Sequence, residues 1–311
     1  MTKLLIILTS FFFTFSFVNA NNDNSSNCIQ LIKSKKKKKK NRNPAQQEQK
    51  SPAPFHCSSV LPETEETKAI VSLLKVYQTY DADGPIQLRR IGKQNDGGYV
   101  IPELAMQEAD VVIGYGISYD ISFEESAAAI YGKPSYGFDC TCPPIQSQQQ
   151  SCHFVPSCIV GDKSSHSFSN FGTFSEHLDL IGATDKRVFI KMDIEGSEYE
   201  TIPDILKRAI QITGIVLEVH FMEPHEIAQA LYLMQRLNEE FLLVHVHANN
   251  GCRLCFSAGN VEGGIPRLLE LSYINRRLVA GYEVSQIQRH PTSFDQPNAP
   301  NISDSMFTIL N

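Results

Sequence analysis

Beyond its first twenty residues this chain of 311 residues has no apolar run long enough to cross a bilayer, which takes about 20 consecutive apolar residues. Basic charge is scarce outside one place. Residues 33–42 (KSKKKKKKNR) hold 8 of the 28 Lys and Arg and no acid, leaving 20 basic against 34 acidic residues elsewhere. Phosphate binding needs basic charge on the folded surface, so an acidic body with one basic flag implies no nucleic-acid partner. The CxC and Cx5C cysteine spacings fit no common zinc module. What is present is a 42% share of hydrophobic residues, enough for one core of about 200–250 residues plus extensions.

Met1 to Ala20 opens with a single Lys, runs through LLIILTSFFFTFSFV and ends in Val18-Asn19-Ala20, with small residues where a signal peptidase reads them. This predicts a secretory signal cleaved after Ala20; the alternative is a retained signal anchor. Residues 21–66, rich in Asn, Ser, Lys, Gln and Pro with almost no apolar periodicity, are expected to form a disordered stalk. A folded domain is expected over 67–298, with a tail over 299–311. After cleavage the chain would be secreted or lumenal, without a stable membrane span, and its eight cysteines would lie in a disulfide-permissive compartment. Cys140, Cys142, Cys152 and Cys158 bracket a Gln-rich loop, and Cys252 and Cys255 lie close together, which favours loop disulfides. Cys28 and Cys57 are left to pair with each other or with another chain. Asn24-Ser25-Ser26 and Asn301-Ile302-Ser303 fit the N-glycosylation pattern.

Short β-rich runs at 110–113, 134–138, 154–160, 188–192, 214–219 and 241–246 alternate with helical patterns such as 122–131, 198–209 and 224–238. Strand and helix alternating in this way predict an open α/β sheet of mainly parallel strands, whose ligands bind beyond the carboxyl ends. Those ends carry chemistry. The first is Gly114-Tyr115-Gly116-Ile117-Ser118, a turn that lets the backbone approach a ligand but lacks the third glycine of a dinucleotide site. The second is Phe138-Asp139, where such folds place an acid on a ribose. The fourth delivers Lys191, Asp193 and Glu195 at alternate positions, the fifth Glu218 and His220, and the sixth His245 and His247.

These residues carry a resemblance. The ordered set RIGKQNDGGYVIP (90–102), GYGISYDISFEE (114–125), FDCT (138–141), KMDIEGSEYE (191–200), LEVHF (217–221), VHVHANN (244–250) and LLELSYINR (268–276) resembles the FkbM family of S-adenosylmethionine-dependent methyltransferases. The resemblance implies the Rossmann-like seven-stranded sheet of class I methyltransferases, with an antiparallel last strand at Leu268 to Ile274. It implies adenosylmethionine as cofactor, with Gly114, Gly116, Asp139, Asp162 and Asp193 as its candidate contacts. It also implies an O-methyltransferase acting on a small-molecule or glycan hydroxyl, most plausibly of a sugar.

A hydroxyl acceptor needs a base within hydrogen-bond reach, and His220 is the candidate, oriented by Glu218 or Asp193, with His247 next in line. Loss of activity below about pH 6 would then mark histidine protonation. Asp193 and Glu195 could instead hold a divalent ion that lowers the hydroxyl pKa, but a hard-cation site needs further oxygen ligands, so no metal ligand is assigned. An NAD-linked oxidoreductase is disfavoured by the missing glycine and the DIEGSE block. A secreted binding protein on a retired methyltransferase fold is the non-enzyme alternative.

Overall fold

The computed structural model describes residues 51–165 and 169–310. The expected signal sequence and residues 21–50 of the expected stalk, with the lysine run, Asn24 and Cys28, lie outside the described residues.

Seven strands form the central sheet: β1 (Val111–Tyr115), β2 (Ser135–Phe138), β3 (Cys152–Val155), β4 (Val188–Met192), β5 (Ile212–His220), β6 (Phe241–Ala248) and β7 (Leu268–Asn275). Their spatial order is β3-β2-β1-β4-β5-β7-β6. All neighbours run parallel except β7, which lies between β5 and β6 and is antiparallel to both. β4 and β5 are buried along their whole length, which is why they read as near-continuous apolar runs. The expected third run, 154–160, divides: β3 ends at Val155, and Cys158–Ile159 pairs separately with Phe171–Gly172.

The helices have local reasons to start where they do. Thr64 caps α1 (Glu65–Leu73) by accepting from the Thr67 N–H, and Glu65 and Glu66 occupy the favourable first turn. α2 (Ser122–Tyr131) ends at Gly132, whose φ of 65° a residue with a Cβ rarely adopts. Thr173 and Glu176 form a reciprocal cap on α3 (Phe174–Leu180). α4 (Glu198–Ile205) continues into a tighter turn over Leu206–Gln211, and α5 (Glu226–Glu240) buries Ile227, Ala230, Leu233, Met234 and Leu237 along one stripe. α1, α3, α4 and α5 pack on one face of the sheet. The hairpin Leu88–Gly92/Gly98–Pro102, the short helix Glu103–Glu108 and α2 cover the other, through Tyr99, Ile101, Met106 and Phe123 against Val112, Phe189 and Val216.

Two boundaries differ from expectation. Residues 51–66 belong to the fold: Ser59–Leu61 pairs in parallel with Leu254–Phe256, and Cys57 is disulfide-bonded to Cys255. The tail is also folded, since Phe307–Leu310 pairs with Ile287–His290 and buries Phe307 and Ile309. In both segments long-range pairing offsets an ordering entropy that local composition alone would not. The pairing of Cys57 also corrects its expected bond to Cys28 or to another chain. Cys140–Cys158 closes the Gln-rich loop, while Cys142, Cys152 and Cys252 are buried.

Because the Cys57–Cys255 bond closes a loop of 198 residues, Cys57→Ser should lower stability by about 2–5 kcal/mol, read by denaturant unfolding under oxidising conditions. An unchanged midpoint would remove the bond from the fold. His177 supplies a pH test. It is buried, stacks on Phe138 and Tyr115, and meets the Ser157 hydroxyl at 2.9 Å, so burial drives its pKa down to about 4. The unfolded chain therefore takes up this proton first, and stability drains away as pH falls from about 6.5 to 4. Burial of Glu124 acts in the opposite sense, holding its carboxyl at about 7, so the informative quantity is a difference. Relative to His177→Phe, the wild type should lose on the order of 3 kcal/mol between pH 7 and 4; parallel pH profiles would refute this.

Candidate active site

The carboxyl ends of β4 and β5 meet. After Met192 the chain turns through Asp193, Ile194, Glu195 and Gly196, with Glu195 at φ 58° and Gly196 at φ 102°, before α4 begins. Glu195 carries a Cβ in a left-handed conformation, at a cost of about 1–2 kcal/mol. Glu198, fully buried in the first turn of α4, holds the loop in place: its Oε1 accepts from the Ile194 N–H at 3.1 Å and lies 3.1 Å from His220 Nδ1. Glu198, rather than Glu218 or Asp193 as expected, therefore orients the imidazole.

The other ring nitrogen looks into a cluster of carboxylates. His220 Nε2 is 3.8 Å from Asp193 Oδ1 and 3.8 Å from Glu195 Oε2. One donor atom each from Asp193, Glu218 and His220 lies within 4.8 Å of the others. Glu218 and Asp193 are themselves positioned: Asn249 Nδ2 donates to Glu218 Oε1 at 2.6 Å, and the Tyr99 hydroxyl donates to Asp193 Oδ2 at 3.2 Å. Burial, and then the charge of Asp193, push Glu218 well above the usual carboxylate range. Burial opposes the charge of His220, but the Glu198 hydrogen bond and the charges of Glu198, Glu218 and Asp193 outweigh it and raise the pKa to about 10. An imidazole that keeps its proton to that pH is not a neutral base at pH 7, so the expected loss of activity below pH 6 does not describe the chain alone.

The glycine turn after β1 packs against this loop. A Cβ at Gly116, whose φ is 77°, would lie 1.6 Å from the Asp193 carbonyl oxygen, so this position must be glycine for the chain's own packing before any ligand is considered. A Cβ at Gly114 would lie 1.6 Å from Glu124 Oε1 of α2. Lys191 Nζ donates to the carbonyls of Tyr115 and Gly116 at 3.3 and 2.7 Å, tying the two strand ends together. Asp139 is 5% exposed; it accepts from the N–H of Ser118 at 2.6 Å and from the N–H and hydroxyl of Thr141 at 2.6 and 2.7 Å. Its carboxylate thus shapes the turn that was expected to cradle a ligand. Asp162 is exposed and caps Lys163–Ser165 by accepting from the Ser164 N–H and hydroxyl.

His247 stands apart from the cluster. Nδ1 meets Glu270 at 2.9 Å and Nε2 meets Asp304 at 3.1 Å, so both nitrogens are committed to carboxylates. Burial opposes its charge, yet Glu270, Asp304 and Asp295 raise its pKa well above the ordinary value. This corrects its place as second candidate base: with both ring nitrogens engaged, it pins residue 304 to the sheet.

Sequence reasoning missed Tyr99, Glu124, Glu198 and Asn249 as members of the site. All four sit inside the quoted motif blocks, but only the fold shows which neighbour each one serves.

Adenosylmethionine carries cationic sulfonium and ammonium groups. The donor set beside the glycine turn suits such a ligand: Asp193 and Glu195 stand at the strand ends, and both buried oxygens of Glu124 lack a hydrogen-bond partner. No curated protein and no solved structure gives a significant match to the chain. The segment that runs from the cap of α3 through β4, the Asp193–Glu198 turn and β5 to the start of β6, residues 173–241, matches the family model of the methyltransferase FkbM domain, the family to which the sequence motifs pointed.

Proposed function

We propose that the protein is an S-adenosylmethionine-dependent O-methyltransferase acting on a sugar hydroxyl of a glycan in the secretory pathway. The observation that carries this reading is the gathering of Asp193, Glu218 and His220 at adjoining strand ends inside the segment that matches the FkbM domain. The mixed seven-stranded sheet, with β7 antiparallel between β5 and β6, supports a Rossmann-like methyltransferase fold. Two disulfides fit an oxidising compartment, and no helix among the described residues is long and apolar enough to cross a membrane.

Bound adenosylmethionine would supply a methyl group on its sulfonium, a centre that needs alignment more than activation. The chain's own residues then have two tasks. The turn 114–118, held by Lys191 and Asp139, presents the backbone to the cofactor, and Asp193 and Glu195 provide negative charge beside it. A carboxylate of the cluster, Asp193 or Glu218, receives the hydroxyl proton beside the His220 imidazole, with Glu198 and Asn249 fixing the orientation of its members. The acidic surroundings favour a neutral or cationic acceptor over an anionic one, which agrees with a sugar hydroxyl.

Calorimetry should show adenosylmethionine binding to the full chain, and labelled methyl should pass to a hydroxyl in a neutral glycan library. Failure to bind would leave the retired-fold alternative. His220→Asn should lower methyl transfer by about 100-fold or more while changing cofactor affinity little, because the expected cofactor contacts lie on other strand ends. Near-wild-type turnover in this variant would remove His220 from the chemistry. Asp139→Ala should weaken cofactor binding by about 1.5–3 kcal/mol through loss of charge-assisted hydrogen bonds that shape the turn; unchanged affinity in the folded variant would move the cofactor elsewhere.

A further inference from the structure

Asp193, Glu218 and His220 converge at the ends of β4 and β5, and among the described residues no Lys or Arg pairs with either carboxylate. Lys191 and Arg90 are the nearby bases. Lys191 donates to the carbonyls of Tyr115 and Gly116, and Arg90 donates to the carbonyls of Lys93, Asn95 and Gly98. Neither reaches Asp193 or Glu218. The imidazole is set for a ligand: its Nδ1 is bound by Glu198, and Nε2 makes no hydrogen bond among the described residues although the side chain is 8% exposed. A histidine whose far nitrogen is held by a carboxylate while its near nitrogen faces two further acids has the outer-sphere support typical of a metal ligand. The two carboxylates grouped with it are held in a similar way, Glu218 by the Asn249 amide and Asp193 by the Tyr99 hydroxyl.

We propose that Asp193, Glu218 and His220 form the binding site of one divalent cation of the manganese or magnesium type. Their donor atoms already lie within 4.8 Å of one another, and metal–ligand distances of about 2.1 Å are reached by small side-chain movements toward a common centre. Two carboxylates and one imidazole form a donor set that favours manganese over calcium and lacks the thiolates that select softer metals. The Asp193 side chain is 27% exposed and that of Glu195 46%, so the site opens to solvent on this side and leaves positions for water or an acceptor oxygen. The site rests on these atoms alone. Its role rests on the methyltransferase reading: a positive charge at the strand ends assists a hydroxyl in giving up its proton.

The test uses the full, disulfide-bonded chain, freed of metal with a chelator and titrated with manganese in the absence of adenosylmethionine and acceptor. Loss of the free-ion paramagnetic resonance signal should report a single saturable ion per chain. His220→Asn and Glu218→Gln should each weaken binding by at least about 100-fold, and Glu198→Gln by about 10- to 100-fold through loss of orientation. Pulsed resonance on the wild-type complex gives a readout that needs no variant to fold, because a directly bound imidazole nitrogen imposes a hyperfine coupling on the manganese spectrum. Saturable binding with that coupling supports the site. Binding without the coupling, or no saturable binding, overturns it. Manganese binding in a chain that fails to bind adenosylmethionine would support the site and sink the methyltransferase reading, whereas adenosylmethionine binding without manganese binding would do the reverse.

Discussion

The pleat of the central sheet is the constraint on which the site depends. Side chains alternate, so Val112, Gly114 and Gly116 share a face with Phe189, Lys191 and Asp193 and with Val216, Glu218 and His220. At the base of that face Val112, Phe189 and Val216 pack under the hairpin and α2. Toward the carboxyl ends the same rows turn polar. A one-residue slip between β4 and β5 would send Glu218 and His220 into the apolar face occupied by Leu217 and Val219, so the core's demand for burial is what fixes the cluster's geometry.

Holding so many acids under cover requires compensation, and the chain provides it on the side of β6 and β7 with histidines. His245 lies 3.1 Å from Asp295, and His247 bridges Glu270 and Asp304. Although burial opposes the charge of Asp295, the hydrogen bond and charge of His245 hold its carboxyl below the usual range. These pairs draw the segment around residues 295–304 over the polar end of the sheet, and Asn298 adds a hydrogen bond to Glu270 at 2.6 Å. Burial, Asp193 and Glu270 together raise Asp96 above its ordinary range, so negative charge stays in excess where β4 and β5 end. Glu198 leaves one oxygen buried without a partner, an arrangement that costs about 1–3 kcal/mol and that a purely structural core would avoid.

The apolar runs foretold β4 to the residue and α2 from Ser122 to Tyr131, because strand burial and helical periodicity are local signals. They also placed Asp193, Glu218 and His220 at strand ends that prove to be neighbours. What they missed was long-range. The carboxylate that orients His220 comes from the first residue of the helix after β4, 22 residues away in sequence. The fate of His247 was hidden for a different reason: a register shift between Leu243 and His245 lets Val244 and His245 oppose β7 irregularly, so simple alternation along β6 does not say which face its histidines take. Its partner Asp304 lies 57 residues further on, in a segment that reads as a tail.

Gly114 shows how the two levels combine. A glycine inside a fully buried strand sacrifices packing and backbone entropy, so something else must occupy its space. That occupant is the Glu124 carboxyl, which reaches from α2 to within what would be bonding distance of a Cβ at 114. Burial raises its pKa to about 7 against the lowering influence of Lys191, so the group is poised between neutral and charged near neutral pH. Any side chain at 114 would displace the Glu124 carboxyl from this space. The absence of a Cβ at one position and the presence of a carboxyl ten residues later are therefore a single structural choice, one that leaves an acid beneath the turn that opens the site.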